Sequence, residues 1–434
     1  MRRRMRVVGA TLHDDQMVYI SPELPRWVPA DEDAILGAIQ SGLLSESHYF
    51  DLKSSIPSGA SKNRELARDL ASFAVDGGAL LVGVREGEAG SLGLSPVELG
   101  GLAERIEQVA RMIPDPPLPV TCRAIPASTS PGLGYLLIEV PATGTAPHMV
   151  DGVYMGRGDK TKIRLSDPEV LRLHQARANT QEQIAKLVDD YVARDPIPET
   201  ERLQAHGFVV AAPVRPRREM LLDARPDGRW QPLLQNVLDR GAHASGTILE
   251  QEAAYDPSLR RVSTFARRAD GAALTYNLSE ARERVRWHDD RPPSEDVLEL
   301  EVSEDGAVRV MTTRLGDELP SRGQVVFEDI LPDLTRRTIG IAAMVTDLTG
   351  YAGSWVLGVA ATGIAGKSAY GSGRVNLSTL GTFGADQTDY RAYTEASTVE
   401  LQTMPGGVTA RLVGRFLRSI GFENAPRVRP LLED

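Results

Sequence analysis

The stretch from residue 62 to residue 84 does most to limit what this chain can fold into. Leu66, Leu70 and Phe73 recur at helical spacing, while Arg64, Glu65, Arg68 and Asp69 lie opposite, so residues 62–76 read as an amphipathic helix. Gly77-Gly78 stops that helix where glycine can take the left-handed conformation. Residues 79–84 are an unbroken apolar run between turn signals, the pattern of a buried central strand. Just before the helix, residues 49–53 alternate apolar and polar as a half-buried strand does. Helix and buried strand in direct succession point to a mixed fold.

The rest of the chain extends that reading. Helices are expected at 29–43, 97–112, 167–193 and 408–420, and at 325–348 with Pro332 marking a kink or a late start. Strands are expected at 120–125, 135–140, 152–157, 208–214 and 354–360. Two more, 297–302 and 308–313, flank Glu304-Asp305-Gly306 as a hairpin. Pro196 and Pro198 mark residues 195–199 as the linker. The expected organisation is α+β throughout: an extension at 1–39, an α/β domain at 40–177, a helix and linker at 178–199, and a separate α+β domain at 200–434.

Composition narrows the function classes. The single cysteine, Cys122, rules out an internal disulfide framework and any paired-cysteine metal or redox site. No apolar run approaches the roughly 20 residues that span a bilayer, so a cytoplasmic protein without membrane partners is expected. The net charge of -10 argues against a general nucleic-acid coat protein. Residues 157–177 run the other way, with Arg157, Lys160, Lys162, Arg164, Arg172 and Arg177 against three acids. That stripe is either a nucleic-acid contact or a solvated face.

Glu46 and Asp51 are five residues apart across a turn into a strand, so their carboxylates can converge. Paired carboxylates repel unless a cation neutralises them, and hard divalent cations favour oxygen ligands. Lys53, two residues beyond Asp51, shares its strand face and suits a phosphate. Each feature also has a plain structural reading. Glu46 can be a solvated loop acid, Asp51 a partner of Lys53, Gly77-Gly78 a helix stop, His148 a polar loop residue, and Arg157 a tie for its own turn.

These residues fall in a series: Glu46 to Lys53, then Ser72 to Gly78, the apolar run to Val84, Leu137 to Pro141, Ala146-Pro147-His148, and Tyr154 to Gly158. The series resembles the AlbA-like domain of the Schlafen family over residues 40–177. The family pattern is an acidic Glu-x-x-x-x-Glu-Phe-Lys motif, a helix, a Gly-Gly pair and a strand ending Ile-Gly-Val. The resemblance implies a bacterial protein of regulatory or defence type that binds RNA or DNA. It also implies a divalent-metal-dependent nuclease, with Glu46, Asp51 and Glu86 (Glu88 as the alternative third acid) holding Mg²⁺ or Mn²⁺. Lys53 then orients the phosphate, and Gly77, Gly78, Arg157, Lys160 and Lys162 contact nucleic acid. Here Asp51 replaces the second Glu, Leu52 the Phe, and Val75 an Asn. The alternative is a non-catalytic transcriptional regulator or scaffold that senses a nucleotide or a protein partner. A homo-oligomer is compatible with either.

Two further motifs carry less. Residues 361–368, ending Gly366-Lys367-Ser368, fit a relaxed phosphate loop, but the residues that follow break helices, so ATP is not expected. Trp287-His288-Asp289-Asp290, beside Pro292-Pro293, reads as a surface turn.

Overall fold

A computed structural model describes residues 27–434 except 88–89, 159, 215, 217–218, 223, 245–258, 280, 282–294, 320–322, 352 and 372–380, together with a short pairing of Arg6–Val7 with Ala10–Thr11. The chain is α+β and divides into two compact units, residues 1–179 with 350–354 and residues 180–349 with 355–434. The division falls inside the long helix at Asp167–Val192, not at the proline-rich 195–199 segment. Sequence explains this: Leu173 packs with Val75 and Ala146 of the first unit, while Ile184, Val188 and Tyr191 belong to the core of the second.

In the first unit, β1 (Phe50–Lys53) runs parallel to β2 (Gly78–Val82), and α2 (Ala60–Phe73) makes the crossover between them. The antiparallel strand β7 (Leu133–Val140) lies beyond β2; β6 (Thr121–Pro126) pairs along its far side, and β5 (Val97–Glu98) pairs with its first residues, Leu133 and Gly134, on the opposite side from β6. The pleat sorts β2 by alternation. Leu80 and Val82 meet Leu66, Leu70 and Phe73 of α2 with Ile106 and Val109 of α3 (Leu102–Met112). Ala79 and Leu81 meet Ile35 of α1 (Glu32–Gln40), Phe50 and Tyr135 on the other face. Glu32 ties α1 to the sheet by accepting from the Tyr135 hydroxyl at 2.6 Å and the Ser128 N–H at 2.8 Å. A second layer of β8 (Met149–Val150), β9 (Val153–Arg157) and β10 (Lys162–Arg164) covers α2.

Two expected elements break at glycines. The helix expected from 97 starts instead at Leu102, after Gly101 takes a left-handed φ of 69°. The apolar run 79–84 breaks at Gly83, whose φ is 101° and whose place a Cβ would fill at 2.7 Å from the Tyr135 ring. The chain there leaves the five-stranded sheet and forms a separate hairpin of β3 (Val84–Glu86) with β4 (Leu92–Leu94).

The second unit is built on a seven-stranded sheet. Its order is β12 (Thr264–Arg268), β13 (Gly271–Tyr276), β14 (Leu298–Ser303), β15 (Val308–Thr312), β11 (His206–Pro213), β16 (Ser354–Thr362) and β17 (Asp389–Ser397). The expected hairpin joins β14 to β15, with Gly306 at a φ of 85° and Asp305 accepting the Ala307 N–H at 3.0 Å. Helix α4 (Ile330–Thr349) packs against β11 and β15 and is buried along nearly its whole length. It starts later than 325 because residues 323–326 are a strand, and Pro332 sits in its first turn, where no N–H is needed. No helix among the described residues is long and apolar enough to cross a membrane.

Candidate acid–base site of the first unit

The register of β1 decides where its polar side chains go. Phe50 pairs with Ala79 and joins the α1-side core, so the alternation turns Asp51 and Lys53 toward the α2 side, beside Leu80 and Val82. Asp51 is only 5% exposed there, and a buried carboxylate must be paired. Its Oδ2 is 2.9 Å from the Lys53 ammonium and 3.9 Å from Arg157 Nη1, and its Oδ1 accepts the Leu52 N–H at 3.0 Å. Arg157 comes from β9, lies over the Phe73 ring at 4.1 Å, and donates to the carbonyls of Ser47 and Phe50. Beside it on β10, Lys162 holds Asp69 of α2 at 2.7 Å.

The electrostatics follow from this packing. Burial, together with the adjacent Asp51 carboxyl, raises the Glu46 pKa above its ordinary value, the Leu52 N–H and Lys53 partly offsetting them. Burial opposes the Lys53 charge, but Asp51, with Asp69 and Glu46 behind it, outweighs that and holds its pKa up. Burial lowers the Arg157 value, against the same three acids. Glu46 and Asp51 therefore do converge, as the spacing suggests, but the cations they meet are protein side chains.

The chain matches no family model and no curated protein. Among solved structures it is similar to the DIP2311 protein from Corynebacterium diphtheriae, a structural-genomics crystal structure. The identity is 19% and the TM-score 0.23, over 30% of this chain and 24% of that one. The match spans about a quarter of that protein's chain, and so low a score carries no argument about fold or function.

The third acid stands apart. The turn at Gly83 carries Glu86 onto the β3–β4 hairpin, where it is exposed, opposite Leu92, with no hydrogen bond or ion pair to Glu46 or Asp51. Glu88 lies outside the described residues. Among the described residues no three His, Cys, Asp or Glu side chains are arranged to hold a metal ion, and both Asp51 oxygens already have partners. Asp51 is satisfied by protein partners, and Glu86 is on a different hairpin from it.

The remaining site residues divide into packing and surface groups. A Cβ on Gly78 would lie 2.2 Å from the Phe73 ring and 2.7 Å from the Tyr49 carbonyl, and one on Gly77 would lie 3.0 Å from the Ala142 nitrogen. That close approach is to the protein itself, so the pair is a packing device and not a phosphate cradle. Arg157, 8% exposed, is a tie between β9 and β1 and not a surface phosphate ligand. Lys53 and Lys162 stand at the rim, half-open to solvent, and Lys160 is exposed.

His148 is fully buried, its Nδ1 2.7 Å from the Pro116 carbonyl and its Nε2 3.0 Å from the Thr143 hydroxyl, and burial lowers its pKa. It is an internal strut, not the polar loop residue its sequence position suggests. Sequence reasoning missed the role of Asp69, placed on the polar helix face, and the His48–Asp76 pair at 3.1 Å. Both depend on partners far along the chain, and nothing local signals them. In the second unit, the relaxed phosphate loop gives its amides to the fold. Ile364 N–H donates to Thr388 and Gly366 N–H to Phe383, and Ser368 enters a strand. Residues 287–290 lie outside the described residues.

Proposed function

We propose that the first unit is a nucleic-acid-binding module of a bacterial, cytoplasmic regulatory or defence protein, and that it works without metal-dependent cleavage. The observation that carries this reading is the neutralisation of Asp51 by Lys53 and Arg157. A carboxylate already held by two cations does not need a metal, and the third acid of the motif sits on another hairpin. What remains outward is cationic: Lys53 and Lys162 at the rim, with exposed Lys160 and Arg164 on and beside β10. These can take backbone phosphates, while the overall charge of -10 keeps the contact local and salt-sensitive. The order of motifs resembling the Schlafen AlbA-like domain supports the same ligand class.

The test is fluorescence anisotropy of the full chain with single-stranded RNA, single-stranded DNA and duplex DNA across a salt series, with and without Mg²⁺ or Mn²⁺. Binding that weakens steeply with salt, and no cleavage, is the expected result. Absence of binding at low salt refutes nucleic-acid recognition. Metal-dependent cleavage that Glu46→Gln with Asp51→Asn abolishes establishes the nuclease reading instead.

A further inference from the structure

The second unit encloses a histidine between two acids. His206 opens β11 and is fully buried. Its Nδ1 lies 2.6 Å from an Asp195 carboxylate oxygen, and its Nε2 faces a Glu295 oxygen at 3.6 Å, too long for a hydrogen bond but close for a charge pair. Arg202 reaches the same Asp195 oxygen at 3.2 Å. Glu295 also accepts the backbone N–H groups of Leu203, at 2.6 Å, and Gln204. From the turn after β16, Lys367 donates to the Leu203 carbonyl at 2.8 Å. The cluster thus gathers the segment 195–204, the start of β11, the residues before β14 and the former phosphate-loop lysine.

A neutral imidazole has one N–H and must turn a lone pair toward one of the two carboxylates, whereas an imidazolium serves both. We propose that His206, Asp195 and Glu295 form a proton-dependent clasp that fastens residues 195–204 to the sheet of the second unit. Below neutrality the clasp is closed. As pH rises, His206 loses its proton, leaving Asp195 and Glu295 with Arg202 and backbone amides as their remaining partners.

The energetic direction agrees with the geometry. Burial opposes the His206 charge, but Asp195 and Glu295 outweigh it and hold its pKa above the ordinary 6.5. Burial lowers the Lys367 value to about 8, with Glu295 acting against it, so the Lys367 charge runs the other way and is no part of the pH-dependent hold. A raised histidine value means that the stabilisation is complete below the unfolded value. It is lost as pH climbs through the folded one.

Hydrogen exchange of the full chain between pH 6 and 9, corrected for intrinsic base catalysis, reads the clasp at the Leu203 and Gln204 amides. Protection should fall about tenfold across that range in the wild type. His206→Gln should remove the pH dependence. Constant wild-type protection, or the same loss in the variant, overturns the proposal. If the variant does not fold, histidine ¹⁵N shifts of the wild type decide. Both His206 ring nitrogens protonated at pH 7 supports the clasp, and a neutral tautomer there overturns it.

Discussion

The two units handle buried acids in opposite ways. In the first, Asp51 and Asp69 meet lysines whose side chains stay 38% and 33% exposed, with one arginine behind them. In the second, Glu301 on β14 is 1% exposed and accepts from three arginines, Arg194, Arg268 and Arg309, the last at 2.9 Å. Arg268 also reaches Glu299 on the same sheet face. Lysine is a flexible, strongly hydrated point charge, whereas the arginine fork is planar and fixes geometry. A rim lysine can swing from a protein carboxylate to an incoming phosphate at little cost. Arg194 is itself 42% exposed, but Arg268 and Arg309 stand on the sheet beside the buried glutamate and cannot leave it without opening the sheet. The first cluster is arranged for exchange and the second for rigidity.

The largest expected effect breaks the second cluster. Glu301→Gln keeps the shape but leaves three guanidinium groups around a neutral amide, with Glu299 beside Arg268 the remaining carboxylate, and should destabilise the second unit by about 3–5 kcal/mol. Burial opposes the Glu301 charge, yet the arginines, Arg194 foremost, hold its pKa below the ordinary 4.5. With the folded value depressed, its stabilisation is present above the unfolded pKa and lost as pH falls through the folded one. Thermal scans should therefore show wild type and variant converging in acid. A variant as stable as wild type at pH 7 would mean the arginines have other partners.

Gly78→Ala strikes beneath the first cluster. The added methyl must displace the Phe73 ring on which Arg157 lies, and the Tyr49 carbonyl leaves it no alternative direction. Overpacking of this kind costs about 1–3 kcal/mol, and should show as a lower melting temperature of the first unit.

How much of this was legible in the sequence follows from the range of each interaction. Helix, Gly-Gly stop and buried strand could be read because Leu66, Leu70, Phe73 and the run after Gly78 carry local periodicity. The nearness of Glu46 to Asp51 was legible for the same reason. The break at Gly83 was not, because it is set by the Tyr135 ring 52 positions away, and it alone decides that Glu86 leaves the acid pair. Likewise Asp69 looked like one more solvated helix acid until β10 brought Lys162 across to it. His206 gave no sign, since its partners Asp195 and Glu295 are separated by the whole first half of the sheet.

Within the first cluster, inner and rim residues should separate cleanly. Arg157→Met retains the packing on Phe73 but strips the donors from the Ser47 and Phe50 carbonyls, and should cost about 1–3 kcal/mol. Nucleic-acid affinity of the folded variant should stay close to wild type, since the guanidinium does not reach the surface. Chemical unfolding and anisotropy on the same preparation test both halves. A large affinity loss at unchanged stability would move Arg157 to the rim and undo the division.

The smallest stability effects, at the rim lysines, discriminate best. Lys160→Ala should change stability by no more than about 1 kcal/mol, as exposed charges do, and Lys162→Ala by somewhat more, because it takes the cation from the mostly covered Asp69. Each phosphate contact removed should lower the salt slope of duplex DNA binding by about 0.9. The two should not be equal in affinity. Lys160 is exposed and its loss removes a cation, whereas losing Lys162 turns a neutral pair into a bare Asp69 carboxylate at the binding face. Lys162→Ala should therefore bind more weakly than Lys160→Ala at low salt, and Asp69→Asn in the Lys162→Ala background should recover part of the difference. Equal losses, with no recovery, would show that Lys162 never leaves Asp69, and the cluster would then be as rigid as its arginine counterpart.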